Sequence, residues 1–238
     1  MTGNILSHIC LLITRQYTNF VIKWHIALCH ALPKLHSLIG IYEPLTHIIE
    51  SFFVTIMETF HDLLVRRRSI RKYTDEEISA DDVKLILEAA LMAPSSKNCR
   101  PWHFVTVEDK KKLELLSHCK DFGAAPIGKC SLAIVVSADP AITDTWVEDA
   151  SIAATYIQLQ AEALGLGSCW IQIRGRFSGD DEPAEDYVKA LLDMPADLPV
   201  LCIVTLGHKD EERKPFNPEK MLWERVHIGK WIPQDIEQ

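Results

Sequence analysis

One segment constrains the fold more than any other: Trp146–Leu164, a long stretch in which apolar residues cover most of a helical circumference. Its central part reads SIAATYIQLQAEAL, with alanine, isoleucine and leucine at most positions. A helix with one exposed face shows separate apolar and polar stripes, whereas a helix that is apolar nearly all round is covered on several sides. The pattern therefore predicts a central helix with neighbours on more than one side, which also suits a position at a subunit interface.

The rest of the chain alternates between helical and strand patterns. Apolar periodicity and capping residues predict further helices over 58–67, 79–93, 109–119 and 183–194. Runs of β-branched and aromatic residues predict strands over 102–108, 131–139, 168–175 and 199–207. Because helices and strands are mixed throughout, the fold class is α+β or α/β.

The charges divide the chain near Met57. Residues 1–56 hold three positive and two negative side chains, a net charge of +1. Because the whole chain has a net charge of −8, residues 57–238 carry −9. The longest charge-free runs of the first segment contain histidine and are shorter than the roughly 20 residues of a membrane span. We interpret residues 1–56 as an N-terminal extension, either a helical arm or a segment that precedes the true start at Met57, which we favour. Residues 57–238 are interpreted as one folded domain.

The composition limits the partners and the cellular location. A net charge of −8 does not provide the basic face of a general nucleic-acid binder, and we also expect no membrane partner. Seven scattered cysteines without a Cys-x-x-Cys pair favour reduced thiols and a cytoplasmic protein over a disulfide framework. The histidines lack partners at ligand spacing, so we interpret His103 and His227 as structural and expect no metal site.

Two basic stretches lie at opposite ends of the acidic domain. RRRSIRKY, residues 66–73, is the densest positive cluster, and RKPFNPEK, residues 213–220, follows the last predicted strand. Arginine guanidinium groups fork onto phosphate oxygens, and a serine hydroxyl or a backbone N–H adds to such a cradle. Each stretch alone is also typical of a solvated surface. The functional interpretation is that the two stretches converge on one phosphate.

The loop APSSKNCRPWHF, residues 93–104, carries more hydrogen-bonding groups than a plain connection needs. Its serines and asparagine are either helix-stop and turn residues or groups that contact a ligand. Further along, GLGSCWIQIRG has Trp170 where a dinucleotide fingerprint needs its third glycine, so we reject a Rossmann site. The chain also lacks a triphosphate-binding loop, a His-Glu-x-x-His motif and a Gly-x-Ser-x-Gly elbow.

In their order along the chain, these motifs resemble the nitroreductase family. RRRSIRKYTDEEIS, APSSKNCRPWHF, the alanine-rich helix, GLGSCW and RKPFNPEKMLWERVH carry a resemblance that covers about residues 57–231. The resemblance implies a three-layer α-β-α fold of the α+β class, with a central mixed or antiparallel sheet, in an obligate-type homodimer that binds FMN at its interface. It further implies that hydride equivalents pass from NADH or NADPH to nitroaromatic, quinone or similar small-molecule acceptors in a ping-pong cycle.

The resemblance also implies roles for individual residues, and all of these roles concern the cofactor. It assigns no catalytic residue, because the flavin carries the chemistry. The matching positions are Arg67, Arg68, Ser69 and Arg71 for the FMN phosphate and pyrimidine edge, Pro94, Ser95 and Ser96 for the contribution of the other subunit, Asn98 for a flavin-facing amide, Gln172 for the strand over the flavin, and Arg213 and Lys214 for late phosphate ligands.

Two features depart from the family pattern. Many members place Pro-x-Glu-Gly or a glycine-rich version over the flavin, where this chain has Trp170, Gln172 and Ile173. The domain is also short, which leaves little room for the inserted helices that shape the pocket of larger members. Three alternatives stay open. Two are flavin functions: another flavin reaction on the same fold, such as dehydrogenation or dehalogenation, and a non-catalytic FMN-binding sensor or store. The third is a membrane-associated interaction protein, if residues 1–56 belong to the protein and insert.

Overall fold

The computed structural model describes residues 59–179 and 181–231, and the interpretations of residues 1–56 lie outside this part of the chain. The division at Met57 therefore stays a prediction. The described residues form five α-helices and four strands: α1 Phe60–Arg66, α2 Ala80–Leu91, β1 Trp102–Val107, α3 Lys110–Leu116, β2 Leu132–Ala138, α4 Trp146–Ala163, β3 Gly167–Gln172, α5 Ala184–Leu191 and β4 Val200–Gly207. Short 3-10 turns occupy Ser96–Asn98, Ile127–Lys129, Pro218–Lys220 and Trp223–Arg225.

The strands form one antiparallel sheet in the order β1-β2-β4-β3. Its two inner strands, β2 and β4, are buried along their whole length. Their unbroken apolar runs fit that position, since a strand covered on both faces has no polar side to present. The α+β class is confirmed, and the sheet is antiparallel rather than mixed.

Alternate residues of the sheet enter two separate cores. Val135 and Ile203 pack on one face with residues of α3 and α5, whereas Ile134 and Val204 pack on the other face with residues of α2 and α4. This period of two follows from the pleat of a strand, in which successive side chains point to opposite faces. The three predicted layers are therefore present, with helices on both faces of the sheet.

Helix α4 lies against the sheet and against α2, as a central helix should. Ala150, Ala154 and Ile157 are fully buried there. Its circumference is not covered completely, however, because Ile152 and Tyr156 are more than one third exposed. No part of the chain that the structure describes covers these two side chains fully. Among the described residues, no helix combines the length and the apolar character of a membrane span.

Capping residues set the helix starts that the sequence predicts. The Ser79 hydroxyl accepts the Asp82 N–H at 3.1 Å, and Thr59 with Asp62 forms a reciprocal capping box at the start of α1. These bonds satisfy N–H groups that have no partner in the first turn of a helix.

Three predicted boundaries are wrong by three residues. Helix α3 ends at Leu116 instead of Cys119, because the N–H groups of His118 and Cys119 donate to the carbonyls three residues back instead of four. Strand β3 ends at Gln172 instead of Gly175, because Ile173 and Arg174 both donate to Leu201 O and the chain turns at Gly175, where φ is +64°. Helix α5 spans Ala184–Leu191 instead of 183–194, since its C-terminal turn leads into Asp193 with φ +54°. Left-handed backbone at Gly175 or at Asp193 ends a regular element.

Candidate functional site

The first basic stretch leaves α1 and runs beside the start of β3. The Ile70 N–H donates to Ser168 O at 2.9 Å, and Ile70 itself is buried. Gly167 permits this approach, because a β-carbon there would lie 2.8 Å from Ile70 Cγ2. We call residues 67–72 the basic segment. Its half-buried or exposed side chains are Arg67, Arg68, Ser69, Arg71 and Lys72.

Tyr73 anchors the end of the basic segment in the core. Its hydroxyl lies 2.6 Å from Ile70 O and 2.7 Å from Thr205 Oγ1, and burial raises the pKa of the phenol far above its ordinary value. A β-carbon at Gly207 would lie 2.8 Å from Tyr73 Cδ1, so the ring packs directly on the β4 backbone. Because a buried hydroxyl is costly without its partners, these bonds fix the segment in one position.

The second basic stretch meets the first through Glu211. The Arg71 N–H donates to Glu211 Oε1 at 2.6 Å, and Arg213 Nη2 pairs with Glu211 Oε2 at 2.7 Å. The Arg71 N–H and the Arg213 guanidinium hold the pKa of Glu211 below its ordinary value. Two further backbone bonds, Asp210 N–H to Lys72 O and Phe216 N–H to Val65 O, align the stretches. Arg213 and the exposed Lys214 therefore lie beside the basic segment.

The cations of the basic segment remain available to an anion. Within the described part of the chain, the guanidinium groups of Arg67, Arg68 and Arg71 form no ion pair with a carboxylate. Guanidinium groups bind phosphate oxygens in a forked, charge-assisted geometry. The arrangement is therefore suited to a phosphate group.

Behind the basic segment, Glu162 of α4 forms a buried ion cluster. Its side chain is 2% exposed and accepts Arg66 Nε at 2.7 Å and Lys209 Nζ at 2.8 and 2.9 Å. Arg66 is the last residue of α1, and Lys209 forms an isolated antiparallel bridge with Tyr73. The C-terminal end of α4 thus holds both ends of the basic segment.

The Pro94–Arg100 loop joins α2 to β1 through one 3-10 turn, Ser96–Asn98. Lys97, Asn98 and Arg100 have left-handed backbone, with φ values of 49°, 57° and 51°. A non-glycine residue in this region costs about 1–2 kcal/mol, and asparagine tolerates it best. Three such residues within four positions show that surrounding contacts impose the loop conformation.

Hydrogen bonds inside the loop use part of its polar groups. Ser95 Oγ accepts the Arg100 N–H at 2.9 Å, and Asn98 Oδ1 accepts Arg100 Nε at 2.9 Å. Each side chain keeps a donor, the hydroxyl proton of Ser95 and the amide NH2 of Asn98. These two donors are among the groups that the loop can offer to a ligand.

One bond reaches the loop from α4. The Ser96 N–H donates to Asp149 Oδ1 at 2.8 Å, and the other carboxylate oxygen accepts Thr145 Oγ1 at 3.3 Å. Asp149 is only 3% exposed and lies in the first turn of α4.

Gln172 ends β3, and its side chain is bonded close to its own strand. Its Oε1 accepts Trp170 Nε1 at 2.9 Å, and its Nε2 donates to Arg174 O at 2.9 Å. The backbone carbonyl of Gln172 accepts Lys120 Nζ at 2.8 Å. The amide thus has one partner for its oxygen and one for its nitrogen.

Helix α4 separates two groups of candidate residues. Asp149 contacts the loop and Glu162 contacts Arg66, 13 positions apart along the helix, which corresponds to about 20 Å. Arg174, two residues after Gln172, stacks 5.6 Å from the Trp146 ring and so lies at the loop end. One chain therefore brings Arg67–Arg71 together with Arg213 and Lys214, and holds the Pro94–Asn98 residues and Gln172 toward the opposite end.

Sequence reasoning missed four ionisable residues that hold these segments: Asp149, Glu162, Lys209 and Glu211. Asp149 and Glu162 were missed because the sequence pattern describes α4 as apolar nearly all round. A sharper signal exists for Asp149, which shares a helical face with Ala153 and Ile157 at spacings of four. A carboxylate within an apolar stripe indicates a buried partner.

Sequence comparisons assign a family to this architecture. The model of the "Nitroreductase family" matches residues 64–137 and 124–208. An NADH dehydrogenase/NAD(P)H nitroreductase by name, from Archaeoglobus fulgidus, is 38% identical over 188 residues, which cover 74% of this chain and 100% of the relative.

Solved structures agree with the sequence match. An FMN-dependent nitroreductase from Clostridium difficile is 47% identical with a TM-score of 0.70, and the match covers 71% of this chain and 98% of that chain. A nitroreductase structure in complex with FMN from Desulfovibrio desulfuricans is 25% identical with a TM-score of 0.59, covering 74% of this chain and 99% of that one. With matching motifs, sheet and layers, the chain belongs to the nitroreductase family.

Proposed function

We propose that this protein is an FMN-dependent oxidoreductase that transfers hydride equivalents from NADH or NADPH to a nitroaromatic, quinone or similar small-molecule acceptor in a ping-pong cycle. The names of its relatives, NAD(P)H nitroreductase and FMN-dependent nitroreductase, support this class of reaction. The observation that carries the proposal is that two basic stretches, 140 positions apart at Arg71 and Glu211, meet on one surface.

The basic segment fits the phosphate of FMN. A phosphate monoester carries a charge of about −1.5 to −2 near pH 7. Arg67, Arg68 and Arg71 offer guanidinium groups without carboxylate partners in the described chain, and the Ser69 hydroxyl lies between them in sequence. Arg213, which shares Glu211 with Arg71, and the neighbouring Lys214 complete the proposed set.

The remaining candidates are assigned to the flavin ring. Bound FMN supplies the redox-active ring system that accepts and donates hydride equivalents. Positive charge from the basic segment stabilises negative charge that develops at the pyrimidine edge. The free amide donor of Asn98 and the hydroxyl donor of Ser95 are suited to hydrogen-bond ring oxygens or nitrogens. Gln172 has its amide bonded locally, so we propose that it supports the wall of the site through Trp170.

We further propose that the active form is a homodimer with a flavin at the interface. A groove between α1, α2 and α4 is lined mainly by apolar side chains, which are Phe60, Leu63, Ala89, Tyr156, Leu159 and Ala163. After β4 the chain exposes further large apolar residues, with Trp223 and Ile228 at 69% and 89%. We infer that these exposed apolar side chains form the association surface. The separation of about 20 Å along α4 also supports a site completed by the partner's Pro94–Ser96.

Removal of Arg67 tests the phosphate assignment. We expect Arg67→Ala to weaken FMN binding by about 1.5–3 kcal/mol, because a charge-assisted hydrogen bond to phosphate is lost. Titration of apoprotein with FMN, followed by flavin fluorescence, measures the change. Lys111→Ala removes one positive charge from an exposed residue of α3, outside the proposed site, and should leave the affinity unchanged. Wild-type affinity in Arg67→Ala would remove this residue from the site.

Mixed dimers test whether the loop acts on the partner's flavin. Arg67→Ala damages the basic segment and Ser96→Glu places a carboxylate on the loop. If each flavin takes its loop from the other subunit, a heterodimer of the two variants has one intact site and one site damaged twice. It should therefore bind half the wild-type amount of FMN with wild-type affinity. Two sites that are each damaged once, with no site of wild-type affinity, would show that both segments serve the same chain's flavin.

Rapid mixing separates an enzyme from an FMN store. Anaerobic addition of NADH or NADPH to FMN-loaded protein should bleach the flavin absorbance, and addition of a quinone or nitroaromatic should restore it. Bleaching by neither donor would leave a binding protein and would contradict the proposed activity.

A further inference from the structure

We propose that Asp149 is a positioning residue of the flavin site, which holds the Pro94–Arg100 loop in the left-handed conformation that presents Ser95 and Asn98. This inference rests on the proposed FMN function for its consequence, although the structural role of Asp149 is independent of it. The residue acts through its bond to the Ser96 N–H and is assigned no contact with the cofactor.

The surroundings of Asp149 are unusual for a core residue. Its side chain is 3% exposed, and within residues 59–179 and 181–231 it forms no ion pair with a cation. Its oxygens accept from the Ser96 N–H and from Thr145 Oγ1. An unpaired carboxylate withdrawn from water is costly, and an apolar side chain would fill the same space more favourably. The hydrogen bond to Ser96 is what such a side chain would not provide.

Ser96 is the position where the loop changes conformation. Ser95 before it is extended, with φ −140° and ψ 158°, and Lys97 after it is left-handed, with φ 49°. A bond to the N–H between these two residues acts at the point where the chain reverses. Asp149 therefore fixes the change from extended to left-handed backbone, after which Lys97, Asn98 and Arg100 have positive φ.

The other bonds of the loop cannot replace this anchor. Ser95 Oγ to Arg100 N–H and Asn98 Oδ1 to Arg100 Nε both join loop residues to one another, so they move with the loop. In the described part of the chain, the bond between Ser96 and Asp149 is the hydrogen bond that ties residues 94–100 to α4. Without this bond, no hydrogen bond to α4 within the described chain opposes relaxation of the left-handed residues, so the loop should adopt other backbone conformations.

Two substitutions separate the hydrogen-bond acceptor from the bulk of the side chain. Asp149→Asn keeps an oxygen for the Ser96 N–H, whereas Asp149→Leu keeps the branched shape of the side chain and removes the acceptor. Glu148→Leu, one residue earlier on the exposed side of α4, is the matched control. If the leucine variant fails to fold, Asp149→Ala removes the same acceptor without adding apolar bulk.

Two measurements are made on each folded variant. Hydrogen exchange of the peptide around residues 93–101, in the absence of FMN, reports loop opening directly. FMN titration by fluorescence reports the consequence for the site. We expect Asp149→Leu to accelerate exchange and to raise the Kd for FMN about tenfold or more, and Asp149→Asn to remain within about threefold of wild type. Glu148→Leu should change neither.

The outcomes distinguish this inference from the proposed function. If wild type binds FMN and Asp149→Leu changes neither loop exchange nor FMN affinity, Asp149 does not position the loop. If Asp149→Asn loses as much affinity as Asp149→Leu, the acceptor role is wrong. If wild type binds no FMN, the proposed function fails, and the exchange measurement still decides whether Asp149 fixes the loop.

Discussion

The two ends of α4 hold two loops by different physical means. At the C-terminal end, the Glu162 carboxylate is compensated by Arg66 and Lys209. The arginines of the basic segment beside it form no ion pair with a carboxylate of the described residues. At the N-terminal end, Asp149 binds a neutral backbone N–H and stays uncompensated by any cation in the described chain. The proposed site accordingly places the FMN phosphate at the Glu162 end, and it assigns the loop held by Asp149 to the flavin ring.

Loss of the Glu162 charge should have the largest effect on stability. Glu162→Gln leaves two cations without their carboxylate, and removal of one partner from a fully buried pair costs about 3–5 kcal/mol. Arg66 and Lys209 side chains are 43% and 28% exposed, so solvent screens them and we expect about 2 kcal/mol. Urea unfolding at pH 7 measures the loss, with Glu148→Gln at the other end as control. If Glu162→Gln and Glu148→Gln are equally stable, the ion pairs of Glu162 do not stabilise the fold, and the two ends of α4 do not differ in this respect.

The Tyr73 anchor should contribute less than the ion cluster. Tyr73→Phe removes the hydroxyl that lies between Ile70 O and Thr205 Oγ1, and we expect the free energy of unfolding to fall by about 1 kcal/mol. Thr205 Oγ1 keeps a second partner in this variant, Cys169 O at 3.3 Å, so a double-mutant cycle with Thr205→Val measures the coupling of the two hydroxyls. Strict additivity in the double-mutant cycle would show that the two hydroxyls do not interact.

Glycine at Lys97 tests whether the loop end is strained. Relief of the left-handed conformation should offset the entropic cost of glycine, so Lys97→Gly should change the free energy of unfolding by less than about 0.5 kcal/mol. Lys84→Gly in the middle of α2 has no such relief and should cost about 1 kcal/mol. Equal losses, measured by thermal unfolding, would contradict the assigned strain.

The smallest effect concerns the pH dependence of the contact at Glu211. The Arg71 N–H lowers the pKa of Glu211 in the folded protein, so its contribution is complete above the ordinary glutamate range, near pH 4.3, and is lost as pH falls through the folded pKa. Wild type should therefore lose slightly more stability than Glu211→Gln between about pH 5 and pH 3. Parallel curves for the two proteins would show that this bond adds nothing to stability.

Local patterns predicted the parts of the fold that depend on neighbouring residues. The Ser79 cap and the buried runs of β2 and β4 are visible in short windows, and the structure confirms them. The expected convergence of the two basic stretches is also found, at Glu211. Contacts that link distant positions were not predictable: Ser96 and Asp149 are 53 positions apart, and Arg66 and Glu162 are 96 apart. No local period encodes which buried carboxylate meets which distant donor.

The Gln172 prediction shows why side-chain roles are harder to predict than elements. The sequence places Gln172 on a strand, which is confirmed, yet its amide is bonded to Trp170 and to the backbone of Arg174. A family resemblance predicts which position of the chain lies at the site. It does not predict which hydrogen bonds the side chain forms there, because these depend on neighbours such as Trp170 that differ from the family pattern.

Gly167 and Gly207 carry no functional group, yet the basic segment lies on the sheet only because these two positions lack a side chain. A β-carbon at Gly167 would meet both Ile70 Cγ2 and Cβ within 2.9 Å, and one at Gly207 would meet Tyr73 Cβ and Cγ at 3.0 Å. An unbiased screen for colourless variants should therefore recover alanine at these glycines as readily as losses of arginine. Natural variants with a side chain at Gly167 or Gly207 should likewise lose the cofactor, although neither glycine is assigned a contact with it.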